Sequence, residues 1–353
     1  MPVVTERAHE PPGNQLLADD QSTDTDSAIT DLSEASTTTS VTSSILEYRR
    51  ENGRYPTCQY PIYLDDGFDA IMAHRALEYL FPNDDTENDR LDLQHHIFLL
   101  TLDNKLHLAP LKNPQNVLDI GTGTGIWAIE FADEYPSAQV TGTDLSPIQP
   151  TWAPPNCRFL IDDAEEDWQY PEHFDYIHGR VLTSSFQDPV KVFKEAYRYL
   201  KPGGYFEMQD LLHPYTSDDN TMPPSNIISK WCELWLEASK KLGKDLDQTK
   251  HYKKWMQEAG FPADSIQETF YKWPLNTWPK DKKHKELGLW NLENVLQGLS
   301  GFCLAMFTRG LGWTKEEVEV FLINVRKELK NTKTHGYIPV VVLVARKPEN
   351  ASD

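Results

Sequence analysis

Residues 117–125 read Val117-Leu118-Asp119-Ile120-Gly121-Thr122-Gly123-Thr124-Gly125, a short apolar run that enters three glycines at alternate positions. An apolar run ending in such a turn predicts a strand that feeds a helix, here over Ile126–Tyr135, with a nucleotide-type cofactor against the turn. Glycine tolerates positive φ and lets the main chain approach a ligand with no Cβ in the way. The first N–H groups of the helix have no partner within it and point toward whatever the turn holds. Asp144 closes the next apolar run, where a carboxylate accepts hydrogen bonds from a ribose diol.

The details of the turn choose the cofactor. A dinucleotide turn follows G-x-G-x-x-G, and its third glycine lets the helix pack close beneath a pyrophosphate. Here the pattern is G-x-G-x-G, and Ile126 stands where that third glycine would fall. Asp119, two residues ahead of the first glycine, would repel a pyrophosphate and suits a cationic amino-acid moiety. A cofactor with a ribose, an amino group and no phosphate is S-adenosylmethionine.

The chain has 353 residues, 39% of them hydrophobic, with 10 tryptophans, enough for a large core plus appendages. No stretch approaches the roughly 18 consecutive apolar residues of a membrane span, and the N-terminus shows no signal-peptide pattern. The expected location is the cytoplasm, with the nucleus as the alternative, and no membrane partner is expected. Cys58, Cys157, Cys232 and Cys303 are scattered without C-x-x-C or nearby histidine spacing, which predicts buried free thiols and no metal centre. The net charge is −20, and residues 1–44 hold eight of the acids against one base, Arg7. Such acidity disfavours nucleic-acid binding. The lysines at 280, 282, 283 and 285 are read as a solvated loop.

Three segments follow from composition and periodicity. Residues 1–44 form an acidic tail, and 14 of the 26 residues from Asp19 to Ser44 are Ser or Thr. It has too little apolar surface to offset ordering entropy and is expected to be disordered. Residues 45–111 read as a helical cap, with apolar positions at helical steps over Asp65–Leu80 and Asp84–Leu106. Residues 112–348 alternate strand and helix, which predicts a parallel sheet covered on both faces. The expected strands are Val117–Ile120, Gln139–Thr143, Cys157–Ile161, Phe174–His178, Tyr205–Gln209, Ser265–Trp273 and Ile338–Ala345, with Lys201-Pro202-Gly203-Gly204 breaking the helix before the fifth.

The order of the glycine turn, Asp144, Asp162-Asp163-Ala164 and Leu200-Lys201-Pro202-Gly203-Gly204 resembles class I S-adenosylmethionine-dependent methyltransferases. Asp89-Arg90-Leu91-Asp92-Leu93-Gln94-His95-His96, Leu145-Ser146-Pro147-Ile148-Gln149-Pro150 and His178-Gly179-Arg180 resemble the fungal LaeA-like group. The resemblance implies a Rossmann-like α/β fold, a seven-stranded mostly parallel sheet with an antiparallel last strand. It also implies that Gly121, Thr122, Gly123 and Gly125 line the methionine part of the cofactor. Asp144 would take the ribose hydroxyls and Leu145 the adenine face. Asp163, with Asp162 as its neighbour, would take the adenine amino group, and Ala164 would offer a backbone contact. Asp119 and Arg180 complete the expected cofactor set, Arg180 through the methionine carboxylate or an acidic substrate.

Methyl transfer needs alignment above all, and a base only for a poorly nucleophilic acceptor. His178, Asp210 and His213, at the C-terminal ends of the fourth and fifth strands, are the weak candidates. Trp127, Trp231 and Trp235 are read as packing. The expected acceptor is a small molecule of fungal secondary metabolism. The alternative implied by the resemblance is a regulatory methyltransferase joined to a velvet-type protein partner.

Overall fold

The computed structural model describes residues 16–19 and 85–351; the cap helix expected at Asp65–Leu80 and Cys58 lie outside the described residues. Helix α1 (Asp85–Thr101) precedes β1 (Asn116–Ile120), α2 (Ile126–Glu134), β2 (Gln139–Asp144), β3 (Cys157–Ile161) and β4 (Phe174–Arg180). Then come α3 (Pro189–Tyr199), β5 (Leu200–Leu211), α4 (Ile227–Lys241), α5 (Tyr252–Ala259), β6 (Ile266–Pro274), α6 (Lys282–Ala305), α7 (Lys315–Leu329) and β7 (Tyr337–Arg346).

The seven strands make one sheet in the order β3-β2-β1-β4-β5-β7-β6. Neighbours from β3 to β5 are parallel, and β7 runs antiparallel to both β5 and β6. The strand order reverses between β1 and β4, and the C-terminal ends of α/β strands open a ligand crevice at such a switch point. The central strands are buried on both faces, so they read as apolar runs rather than alternating ones. Leu118, Ile120, Ile177, Phe206 and Met208 pack on one face; Val117, Val140 and Tyr176 pack with Trp127 and Phe131 of α2 on the other.

A third cluster lies beyond the sheet, where Trp231, Cys232 and Trp235 of α4 meet Leu299 and Cys303 of α6 and Val318 and Leu322 of α7. Local signals set the helix starts. The Asp188 side chain accepts the Lys191 N–H ahead of Pro189, and Thr314 and Glu317 form a reciprocal capping box at α7. Cys157, Cys232 and Cys303 are buried free thiols. Among the described residues no helix is long and apolar enough to cross a membrane, and no group of three or more His, Cys, Asp or Glu could hold a metal ion.

Several local expectations change. The helix expected to reach Leu106 ends at Thr101, because Asp103 and Asn104 take positive φ. The turned chain delivers the Leu106 carbonyl to Trp127 Nε1 and Gln209 Nε2, both at 3.0 Å. Lys201–Gly204 lies within β5 as a bulge: pairing passes from Phe174–Leu200 to Tyr176–Tyr205, and Gly203 absorbs the kink at φ 80°. The lysine cluster opens a helix rather than filling a loop, with Lys283 on Asp103 and Lys285 on Asp19. Residues 16–19 of the acidic tail, expected to be disordered, lie against the body: Ala18 bridges Pro279, and the Asp19 N–H donates to the Trp278 carbonyl at 3.1 Å.

Asp210, weighed from the sequence as a base, is an anchor instead. It is fully buried in β5 and does not line the cavity described below. Its carboxylate accepts the Leu182 N–H at 2.8 Å, the Leu211 N–H at 2.7 Å and the Tyr252 hydroxyl at 2.9 Å. These bonds tie the loop after β4 to α5. Burial pushes the Asp210 carboxyl up to about 6 despite them, whereas an unfolded chain ionises it near about 4. Between those values the native state keeps a proton that the unfolded state has released, so stability falls as the pH rises through the window. Urea unfolding of the parent should lose on the order of 2 kcal/mol from about pH 4 to 6. Asp210→Asn should lack that share of the slope, and parallel pH profiles would refute the assignment.

Candidate active site

The turn after β1 holds Gly121, Gly123 and Gly125 at φ 62°, 57° and 79°, a region that excludes most side chains. The three glycines do different work. A Cβ on Gly125 would sit 2.5 Å from the Phe159 ring of β3, and one on Gly121 would sit 2.5 Å from Leu182 Cδ2. A Cβ on Gly123 would meet nothing nearer than Leu91 Cδ1 at 3.8 Å, so it would project into the adjoining cavity. Gly121, Thr122 and Gly123 line that cavity and Gly125 does not. Gly125, expected to touch the cofactor, instead lets α2 approach the sheet.

Asp119 organises the turn from beneath. It is 3% exposed, accepts the Thr122 hydroxyl at 2.5 Å and lies 2.7 Å from His178 Nδ1. A carboxylate only accepts, so Nδ1 carries the proton. The imidazole stacks on Trp127 with centroids 3.7 Å apart and planes 7° apart. Its Nε2 is buried without a hydrogen-bond partner. His178 is therefore clamped as a support for Asp119 at the cavity wall.

Asp144, at the end of β2, accepts the Gly123 N–H at 2.8 Å and the Ser146 N–H at 2.9 Å. A carboxylate offers about four lone-pair sites, so two such bonds leave room for a diol. Burial raises its pKa above the usual carboxylate range. Leu145, Asp162, Asp163 and Ala164 join it on the wall. Asp162 receives the Tyr170 hydroxyl at 3.0 Å, and Asp163 receives the Glu165 N–H at 2.9 Å. Arg180 reaches the same cavity from the end of β4.

One cavity, about 290 Å³, runs from the turn to an aromatic chamber at its far wall. Trp231 and Trp235, read from the sequence as packing, both line it, together with Tyr215, Phe302, Met306 and His213. The two indoles stack with centroids 5.8 Å apart, and His213 meets Trp235 edge-on at 5.1 Å. Burial lowers the His213 pKa to about 4, so its imidazole is neutral at pH 7.

Sequence reasoning also missed a buried ion pair on this wall. Arg90 forks onto Glu87 at 2.7 and 2.9 Å and donates to Asn294 Oδ1 at 2.7 Å. Its guanidinium lies 4.9 Å from the Phe302 ring centroid. The string from Asp89 to His96 contained Arg90, but its partner on α6 is 204 positions away. No local pattern signals such a pairing.

The turn fits S-adenosylmethionine. The Gly123 N–H, which a phosphate would need, is already given to Asp144. Asp119, Asp144, Asp162 and Asp163 surround the space with carboxylates, which oppose a phosphate and favour a cation. Gly123 leaves open the volume that a side chain would fill.

The comparisons with known proteins agree. A family model described as a methyltransferase domain matches residues 93–266. The methyltransferase pytC of Aspergillus terreus is 39% identical, over 97% of this chain and 98% of that protein. The probable methyltransferase tdiE of Emericella nidulans is 45% identical, over 75% of this chain and 83% of that protein. The secondary metabolism regulator LAE1 of Cochliobolus heterostrophus is 34% identical, over 84% of this chain and 99% of that protein. With the carboxylate-lined turn and the switch-point crevice, these relatives show that the chain belongs to the LaeA-like class I methyltransferases, enzymes that draw their methyl group from S-adenosylmethionine.

Proposed function

We propose that the chain methylates a small, largely apolar aromatic molecule of fungal secondary metabolism. The observation that carries this reading is the aromatic chamber: Trp231, Trp235, Tyr215 and Phe302 wall a pocket continuous with the donor turn. Faces of this kind favour flat apolar ligands through burial and offset stacking. The match to pytC, named a methyltransferase, supports the methyl-transfer part of the reading.

When bound, S-adenosylmethionine supplies an electrophilic methyl on a sulfonium. The residues of this chain hold the two partners in line and keep water from the aromatic chamber, and such alignment corresponds to effective molarities of order 10⁵–10⁸ M. In this proposal Asp119, Gly121, Thr122, Gly123, Asp144, Leu145, Asp162, Asp163, Ala164 and Arg180 form the donor site. His213, neutral and facing the chamber, accepts the hydrogen bond of a hydroxyl acceptor and orients its oxygen toward the methyl.

The resemblance to LAE1, named a secondary metabolism regulator, favours a second reading, in which the methyl goes to a protein within a velvet-type complex. One experiment separates the two. The purified chain is incubated with methyl-labelled S-adenosylmethionine and an extract of the producing fungus. Label in organic-soluble compounds supports the first reading, and label confined to protein supports the second.

Two variants test the roles. Gly123→Arg should abolish S-adenosylhomocysteine binding in calorimetry, because its side chain enters the cavity; the positive φ costs about 1–2 kcal/mol, so an unchanged circular dichroism spectrum accompanies the loss. Binding at parental affinity would disprove the donor assignment. With an oxygen acceptor, His213→Phe should lower kcat about 10²-fold and leave donor affinity unchanged. An unaltered kcat would remove His213 from the reaction.

A further inference from the structure

Beside the turn, three elements meet through one buried chain of hydrogen bonds. His95 of α1 is fully buried. Its Nδ1 lies 2.9 Å from Arg180 Nη2, and its Nε2 lies 3.0 Å from Glu130 Oε2 of α2. The direction of the chain follows from the groups. A guanidinium only donates, so Nδ1 accepts; Nε2 then carries the ring proton and donates to Glu130. Burial and the neighbouring guanidinium both lower the His95 pKa, which keeps Nδ1 free to accept. The Arg180 guanidinium also lies 5.0 Å from the Phe98 ring centroid, so it is held on a face as well as at an edge.

The register of the sheet decides where this arginine stands. Ile120 pairs with Gly179, which sets Arg180 next to Gly121 at the mouth of the turn. The carboxylates of Asp119, Asp144, Asp162 and Asp163 line the same region. They suit the ammonium, sulfonium, ribose and adenine of the donor, and they repel its carboxylate. Arg180 is the cation that the register of β4 sets beside the turn.

We propose that Glu130 and His95 act as a positioning relay that aims Arg180 at the carboxylate of the donor's methionine moiety. This rests on the donor reading of the turn. The relay fixes one edge of the guanidinium against the protein and with it the plane of the fork. A planar fork held at one edge loses little further freedom on meeting a carboxylate. His95 thereby sets donor affinity without touching the donor.

The test uses the full chain and two ligands: S-adenosylhomocysteine, and the same molecule without its carboxylate, S-adenosyl-3-thiopropylamine. Calorimetry on His95→Phe should show about a tenfold weaker Kd for the first ligand and a Kd within about twofold of the parent's for the second. His95→Asn, which keeps an acceptor near the Nδ1 position, should recover most of the loss. Arg180→Gln should reproduce the selective loss without disturbing the buried histidine. Equal weakening of both ligands in these variants, or no weakening of either, would overturn the relay. A parent chain that binds neither ligand would instead fail the donor reading itself.

Discussion

A single buried carboxylate, Asp119, holds the donor half of the molecule in register. It is the penultimate residue of β1, receives the turn through Thr122 and receives β4 through His178. Through the stacked His178 ring it also sets Trp127 of α2. Ionised groups in a low-dielectric interior are costly unless hydrogen-bonded, and these partners offset that cost. Strand, turn, neighbouring strand and covering helix therefore move together or not at all. The open position at Gly123 and the reach of Arg180 both depend on this arrangement, since each lies within a residue or two of a group that Asp119 fixes.

The charge on the walls then selects the ligand. A glycine turn at a helix N-terminus is intrinsically an anion site, yet here Asp144 occupies the Gly123 N–H and three further aspartates face the space. The backbone geometry of a phosphate loop is kept while its electrostatics are inverted. That inversion, rather than the glycines themselves, separates a sulfonium cofactor from a dinucleotide.

Most of the sheet was legible in the sequence, because buried strands and glycine turns leave local, periodic traces. The residues that line the cavity beside the turn were legible for the same reason, lying within a few residues of strand ends. Gly125 was misjudged because a glycine that admits Phe159 and one that admits a ligand look the same in one dimension. Asp210 was misjudged because a carboxylate at a strand end gives no hint of Tyr252 above it. The aromatic chamber was missed altogether. Trp231 and Trp235 have helical spacing, which marks a buried face but not what it faces, and the pairing of Arg90 with Asn294 exists only in three dimensions.

That difference in legibility follows the architecture. The donor site is built from β1 to β4, contiguous in the chain. The aromatic end of the cavity is assembled from α1, from α4 and the loop before it between β5 and β6, and from α6 and the segment after it between β6 and β7. Crossover segments can change their side chains without disturbing strand register, because the sheet's hydrogen bonds do not pass through them. The parallel strands, by contrast, cannot slip by one residue without exchanging every side chain between the sheet's two packed faces. Under the proposed function, a fold divided this way would hold the methyl donor constant and leave the acceptor free to vary. The aromatic end of the cavity is thus set by side chains on α4, α6 and the segments beside them, with the Glu87–Arg90–Asn294 cluster tying α1 to α6 along its wall.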